Sequence, residues 1–596
     1  MIRTPLRPLA QILKARDAGQ NPDAIERENI RLRHEEMRDQ ARQRAEGRLL
    51  VMGVFFTLAF LVIGARMGIM TQSEPVEPRA GVAGVEILAQ RADIVDRHGR
   101  ILATNFETHS LYAQPQQMVE PERAVKELVA LFPDLDEKRL LKDFTGSRKF
   151  LWVKKKLSPE QVQAVHDIGE PGLLFGPREM RLYPNGRLAA HVMGGASFGR
   201  EGVHAAEVIG VAGVEKYFDD RLRDPAHGHE PLTLSLDLSV QSALERVLQG
   251  GMMLMNAKGA AAVLMKVDTG EVLAVASLPD FDPNDRPRPP TEGNPEDSPL
   301  FNRAVQGVYE LGSVFKSFTL AQALDLRLVN PSTIIDTKGP LRWGKHRIRD
   351  FRNYGDELSV TEVIVKSSNI GTARIAQMIG AKRQQEFLKS LGLFEATPLE
   401  IVEAKGGEPL LPPKWSELST MTVAYGHGMS TSPMHLAAGY ATLANGGYLV
   451  KPTLLKQPRH QRGPQVMSKA AADRTMKMLR EVVGGGTASF GEVPGYEVAG
   501  KTGTADKPKP NGGYYDEKVL ATFASVFPAS NPEYVLVVTL DEPVETSGDE
   551  PRRTAGWTAV PVAAEIIRRV APLLGLRPEF EPAVLDGITL TSGATQ

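Results

Sequence analysis

Hydrophobic and polar positions divide the chain into unlike stretches. From Leu49 to Ala65 it reads LLVMGVFFTLAFLVIGA, 17 residues without a charge, and after Arg66 the apolar character resumes to Met70. That is the short end of what spans a bilayer, with Arg66 placed where it can snorkel to the interface. Residues 21–47 mix charges without an apolar stripe, the pattern of a solvated helix or a disordered tail, and residues 71–90 read as a tether. From about Arg91 to Arg223, short strand-like runs (ADIVD, ILATN, SLYAQ) alternate with helical stretches and many glycines. No constellation of acids, bases or nucleophiles stands out there, which predicts a non-catalytic module.

Near Pro231 the character changes. LTLSLDLSVQSALERVLQGGMMLMNA begins extended and then shows helical spacing through Val240, Leu244 and Val247. AAAVLMKV, DTGE and VLAVASL predict a strand, a turn supplied by Gly270 and a returning strand. Pro279 to Pro299 is an exposed loop by composition. EVAGKTGTAD predicts another strand, VLATFASVF and EYVLVVTL a hairpin, and TAVPVAAEIIRRVAPLL a closing amphipathic helix. Strands in meander order between helices predict an antiparallel sheet covered by helices, an α+β fold.

Charge orients the apolar segment. Residues 1–48 hold 11 Lys/Arg against 8 Asp/Glu, seven of the arginines between Arg27 and Arg48. Basic flanks stay in the cytoplasm, so the bulk of the chain is expected outside it. A core helix is rarely apolar all round, and a 48-residue leader without a small-x-small cleavage site argues against a removed signal. The formal net charge of -1 points to no nucleic-acid partner. The chain has no cysteine, which excludes thiol nucleophiles, disulfides and cysteine-based metal sites. His227 and His229 straddle a glycine and read as a solvated loop rather than a metal site.

Three short motifs carry the candidate chemistry: Ser313-Val-Phe-Lys316 opening a helical run, Ser367-Ser-Asn369, and Lys501-Thr502-Gly503-Thr504 within a strand pattern. Each of Ser-x-x-Lys, Ser-x-Asn and Lys-Thr-Gly occurs once, in that order, and the triple is the signature of penicillin-recognising serine enzymes. A serine hydroxyl is a poor nucleophile until a base takes its proton. A lysine three residues on along a helix shares the serine's face. To act as base it must be neutral. Its ordinary pKa of about 10.4 must fall towards neutrality, about 4 kcal/mol of destabilisation of the charged form. Burial and a second cation, Lys501, favour that. Ser367 can relay a proton from Lys316 to a leaving amine, and Asn369 can hold Lys316 together with a substrate carbonyl. The free backbone N–H of a serine at a helix start, paired with that of Thr504, would make an oxyanion hole. Taken singly, each motif has a bland reading. Ser313 could be a helix cap, Lys316 a solvated helix residue and 367–369 an ordinary turn.

With these motifs the chain resembles the class B penicillin-binding proteins. Arg91-Ala-Asp-Ile-Val-Asp-Arg-His-Gly-Arg-Ile-Leu-Ala103 is similar to the first N-terminal motif of that family, with Ala92 where glycine is usual. Arg181-Leu-Tyr-Pro-Asn-Gly186 through His191 resembles the second, and Gly210-Val-Ala-Gly-Val-Glu215 the third. Tyr309-Glu-Leu-Gly-Ser313 resembles the lead-in to the nucleophile, with Leu311 where proline is common. Ala424-Tyr-Gly-His-Gly-Met429 and Ala444-Asn-Gly-Gly447 match recurring stretches, and the similarity runs from about Arg91 to Leu574.

The resemblance implies a cytoplasmic tail (1–48), a transmembrane helix (49–70), an elongated pedestal or dimerisation-like module (71–230), a transpeptidase domain (231–576) and a tail (577–596). It implies a single-pass inner-membrane enzyme with its catalytic part in the periplasm. Ser313, Lys316, Ser367 and Asn369 would catalyse, and Lys501, Thr502, Gly503 and Thr504 would bind the substrate. Arg91, Asp96, Arg97 and Glu215 would build the interlocking base of the pedestal, with structural and partner-docking roles. Peptidoglycan stem peptides and lipid-linked precursor are the implied substrates and β-lactams the implied inhibitors. The septal glycan polymerase FtsW and other division proteins are the implied partners. No metal or cofactor is implied. Within the family the division-specific branch fits best. An elongation-specific enzyme, a hydrolytic carboxypeptidase or sensor, and a catalytically silent division scaffold are the alternatives.

Overall fold

In the computed structural model, described for residues 7–72, 91–201, 206–227, 230–457, 462–509 and 512–579, the chain forms two compact units, Met1–Arg79 and Ala80–Gln596. The first consists of helices Arg7–Asp17 and Pro22–Gln72. The charged stretch and the apolar stretch share one 51-residue helix, so of the two readings of residues 21–47 the solvated helix holds. Exposed pairs such as Arg42–Glu46 (2.8 Å) support its polar part. Further on, Phe55 and Phe60 are 67% and 69% exposed; apolar side chains pointing outward suit lipid rather than water. Most of the tether (73–90), most of the C-terminal tail (580–596) and His229 lie outside the described residues. His227 is an exposed partner of Asp224.

The second unit begins with the pedestal. Its long strand Ile101–Ala113 pairs antiparallel with Leu151–Leu157 and Leu173–Leu182. Helices over 121–131, 137–144 and 159–167 bury Leu128, Phe144 and Val165 in a separate small core. The short strand Ile94–Val95 pairs in parallel with Leu232–Thr233 and so joins this sheet to the segment that starts the α+β part.

There the sheet order is Ala499–Pro508, Tyr514–Phe527, Tyr534–Asp541, Gly259–Lys266 and Val272–Leu278, antiparallel throughout. The central strands are continuous apolar runs because both of their faces are covered; Tyr534–Asp541 is buried at every position. The covering helices are Leu238–Leu254, Lys316–Asp325, Pro433–Ala444, Lys469–Gly485 and Ala559–Val570. The α+β expectation therefore holds. The Lys-Thr-Gly strand, 499–508, lies at the sheet edge, which leaves one of its sides open beside the Ser313 turn.

Candidate active site

Ser313 sits on the 3-10 turn Gly312–Phe315, and the α-helix proper starts at Lys316. A 3-10 turn eclipses positions i and i+3, so it aligns residues 313 and 316 more closely than an α-helix would. Two glycines let the neighbouring chains close on this turn. A Cβ on Gly503 would come within 2.2 Å of the Leu311 carbonyl oxygen, and one on Gly426 within 2.0 Å of that of Gly312. The buried Phe315 and Phe318 rings, 5.5 Å apart, and the Tyr440 hydroxyl, which donates to the Val314 carbonyl at 3.0 Å, fix the turn from below.

Lys316 is completely buried, and its Nζ lies 2.6 Å from the Ser367 carbonyl oxygen, 2.7 Å from Asn369 Oδ1 and 3.1 Å from Ser367 Oγ. Ser367 has φ +61, an uncommon conformation outside glycine that costs on the order of 1–3 kcal/mol and turns its carbonyl and hydroxyl to the same lysine. Lys501, equally buried, donates from Nζ to Ser367 Oγ at 3.0 Å and to the Thr502 carbonyl at 3.2 Å. Burial first, and the Lys501 charge second, hold Lys316 well below the ordinary lysine range, against a smaller opposing pull from Asp350. Burial alone pushes Lys501 down to about 7, as expected if its neighbour is already neutral.

Neutral Lys316 has two N–H bonds and one lone pair. The Ser367 carbonyl and Asn369 Oδ1 can only accept, so they take the two protons. Ser367 Oγ lies within hydrogen-bond distance of both lysine nitrogens, 3.0 Å from Lys501 Nζ, which donates to it, and 3.1 Å from Lys316 Nζ. Ser367 Oγ thus joins Lys501 to Lys316. None of the Lys316 hydrogen bonds goes to Ser313; the serine hydroxyl, half-buried, lies across the eclipsed turn from it.

Strand 499–508 closes the other wall. Thr502 Oγ1 is held by Thr487 Oγ1 at 2.8 Å, and Thr504 Oγ1 accepts from the Ala555 N–H at 3.0 Å. A Cβ on Gly312 would lie 3.3 Å from the Thr504 nitrogen, so the strand backbone passes directly against the turn that carries Ser313. Ser313, Lys316, Ser367, Asn369, Lys501, Thr502, Gly503 and Thr504 thus converge from three distant segments.

Sequence reasoning missed the supports. Asp350 accepts from Ser368 Oγ (2.7 Å) and the Ile370 N–H (3.0 Å), anchoring the helix that begins at Asn369. Asn369 Nδ2 donates to the Arg349 carbonyl at 3.0 Å, which orients Oδ1 towards Lys316. Both residues lie in a loop nearly twenty positions upstream, and no local pattern flags them. Glu310, Tyr425, His427 and Tyr514 also gather beside Ser313 without having been singled out for chemistry.

The residues expected at the pedestal base divide between two networks. Arg91 binds Glu215 Oε2 and Asp219 Oδ1, each at 2.7 Å, and Arg181 binds Glu215 Oε1 at 2.7 Å, all of this nearly solvent-free. Asp96 accepts from Arg100 at 2.6 Å and from the Leu238 N–H at 3.1 Å, while Arg97 reaches Glu271 at 3.6 Å; these contacts run into the α+β part.

Fold and site together define the class of the penicillin-recognising acyl-transfer proteins. A family profile described as the penicillin-binding protein transpeptidase domain matches residues 260–568, and one described as the penicillin-binding protein dimerisation domain matches residues 86–230. The chain is 34% identical to the probable peptidoglycan D,D-transpeptidase FtsI of Caulobacter vibrioides, over 92% of this chain and 93% of that one. It is 31% identical to the probable peptidoglycan D,D-transpeptidase PenA of Neisseria meningitidis, over 76% and 80%. Among solved structures it resembles penicillin-binding protein 3 of Mycobacterium tuberculosis complexed with aztreonam, with TM-score 0.62 and 27% identity over 83% of this chain and 98% of that one. The chain belongs to the penicillin-binding protein family, with a transpeptidase domain behind a dimerisation domain.

Proposed function

We propose that this chain is a division-specific peptidoglycan D,D-transpeptidase that works through an acyl-enzyme on Ser313. The observation that carries the reading is a buried Lys316 that meets only neutral hydrogen-bond partners and is linked through Ser367 Oγ to Lys501. Neutral Lys316 takes the Ser313 proton as the serine attacks the carbonyl of the penultimate D-Ala of a stem pentapeptide. The Ser313 and Thr504 N–H groups receive the charge that develops on the carbonyl oxygen. The proton passes through Ser367 to the departing D-Ala amine. Lys501, Thr502 and Thr504 hold the terminal carboxylate, with Gly503 leaving room for the turn. An amine of a neighbouring stem then attacks the ester, which yields the cross-link and frees Ser313. A β-lactam acylates the same serine and stays.

Helix Pro22–Gln72 would cross the inner membrane with the arginine-rich end in the cytoplasm and residues beyond it in the periplasm. This reading keeps the domain limits 71–230 and 231–576, set by the change of pattern near Pro231. FtsW and other division proteins are the partners this reading assigns to the span and the pedestal. Relatives named as FtsI support the division branch over the elongation branch.

Fluorescent penicillin should label the wild-type protein and not Ser313→Ala. On lipid-linked substrate the wild type should form cross-linked dimer together with released D-Ala. An unlabelled wild type removes the acyl-enzyme reading, and D-Ala release without dimer removes transpeptidation.

A further inference from the structure

An acyl transfer between two peptide strands needs a place for each. The side of the site that carries Lys501, Thr502 and Thr504 suits the donor carboxylate. The opposite side is anionic and aromatic. Glu310, three residues before Ser313 and half-buried, accepts from the Gly428 N–H at 2.7 Å and from the Tyr514 hydroxyl at 3.0 and 3.2 Å. All of these donors are neutral, and among the described residues no lysine or arginine pairs with this carboxylate. Tyr514 comes from the start of the second sheet strand, 204 residues away in sequence, and its hydroxyl reaches the Glu310 carboxylate three residues before Ser313.

The rings of Tyr425, His427 and Tyr514 line the same side; His427 lies 5.3 Å from Tyr425 and 6.3 Å from Tyr514, centroid to centroid. The exposed Asp506 carboxylate shares a strand face with Thr502 and Thr504, and its field reaches both His427 and Tyr514. His427 is the one group here able to neutralise Glu310 by protonating. Burial, the largest effect, lowers its affinity for a proton; Glu310, Asp506 and the Tyr425 carbonyl act in the other direction without prevailing. Its Nδ1 is buried without a hydrogen-bond partner, as fits an uncharged ring. The negative charge of Glu310 is therefore uncompensated, beside tyrosine faces that favour cations.

We propose that Glu310, presented by Tyr514 and the Gly428 amide, receives the ammonium group of the acceptor strand and directs it to the Ser313 ester. The inference rests on the transpeptidase reading and adds the acceptor side to it. The chemistry balances. The ammonium loses one proton to water on leaving Glu310, and the free amine attacks the acyl carbonyl. The new C–N bond forms as the C–O bond to Ser313 breaks, and the second nitrogen proton reaches Ser313 Oγ through neutral Lys316. Glu310 is a positioning residue. Its contribution is local concentration and orientation of a cation in a partly water-excluded site.

The test uses the full-length detergent-solubilised protein, a D-Ala thioester donor and two nucleophiles. Nα-acetyl-lysine carries an ammonium, whereas hydroxylamine is uncharged at neutral pH. In Glu310→Gln the KM for acetyl-lysine should rise about tenfold, equivalent to about 1.4 kcal/mol. The rate with hydroxylamine should change less than twofold, and Glu310→Asp should recover part of the loss. Added KCl should raise the acetyl-lysine KM of the wild type and leave that of Glu310→Gln flat. Equal losses with both nucleophiles would show a structural role and overturn the proposal, as would an unchanged acetyl-lysine KM. If the wild type is labelled by fluorescent penicillin, either result removes this inference alone; an unlabelled wild type removes the transpeptidase reading and this inference with it.

Discussion

Two buried cationic centres in this molecule are built on opposite rules. At the pedestal base, Arg91 and Arg181 are surrounded by the Glu215 and Asp219 carboxylates at 2.7 Å. At the active site, Lys316 and Lys501 meet a serine hydroxyl, backbone carbonyls and an amide oxygen, with no carboxylate in contact. Arginine keeps its charge at any relevant pH and offers a planar fork that matches a carboxylate, so burial with counter-ions makes it a clamp. Lysine can give its proton up. Buried without a counter-ion, it does so, and what would be a stability cost becomes a base poised at neutral pH. The difference separates a structural ion pair from a candidate chemical site, although both bury basic side chains.

Making the catalytic centre obey the other rule should have the largest effect. Lys316→Arg, permanently charged, should lower the penicillin acylation rate by about 10³-fold, within the range for loss of a general base, with circular dichroism unchanged. Acylation at more than a tenth of the wild-type rate would show that the neutral lysine is not needed. The converse attack is on the clamp. Glu215→Ala strands Arg91 and Arg181 without their shared carboxylate and should cost about 3–5 kcal/mol, read as a lower urea midpoint. A loss below about 1 kcal/mol would mean that solvent or Asp219 takes over.

A smaller effect tests the linkage. Lysine in the unfolded chain keeps its ordinary pKa, whereas folded Lys501 titrates at about 7. Above that pH the unfolded state binds more protons, so stability rises with pH, by up to about 1.4 kcal/mol per pH unit, between about 7 and the ordinary lysine value. Below about 7 both states are charged and the cost of burial is present in full. Lys501→Met should flatten this rise between pH 7.5 and 9; an unchanged slope would assign it to other groups.

The smallest effect concerns Asp350, whose charge pulls the Lys316 pKa up. Asp350→Asn removes that charge, so the acid limb of the acylation profile should move to lower pH, while Lys316 stays neutral further into acid. Movement to higher pH would contradict the sign of this interaction.

Much of the site was legible in the sequence because its chemistry is local. The serine and its lysine lie one turn apart, the Ser-x-Asn triplet needs one bend, and Lys-Thr-Gly needs one strand with a glycine for close approach. The alternating and continuous apolar runs likewise carried the five-stranded sheet, since covered strands must be apolar on both faces. Residues 21–47 were ambiguous because the solvation of a charged helix and of a charged coil looks alike in composition. Asp350, Arg349, Glu310 and Tyr514 stayed invisible because each acts across many residues of intervening chain, where spacing encodes nothing.

The sequence by itself determined that an apolar segment precedes a large α+β part, and which eight residues make up the candidate site. Tertiary structure decided the state of those residues. Only the burial of Lys316 and Lys501 around one serine hydroxyl lowers both lysines, Lys316 further because of its neighbour's charge. Only packing shows that the arginines at the pedestal base are neutralised while Glu310 is not. Protonation follows desolvation and through-space charge. Both depend on which distant segments meet, and a local pattern cannot hold that information.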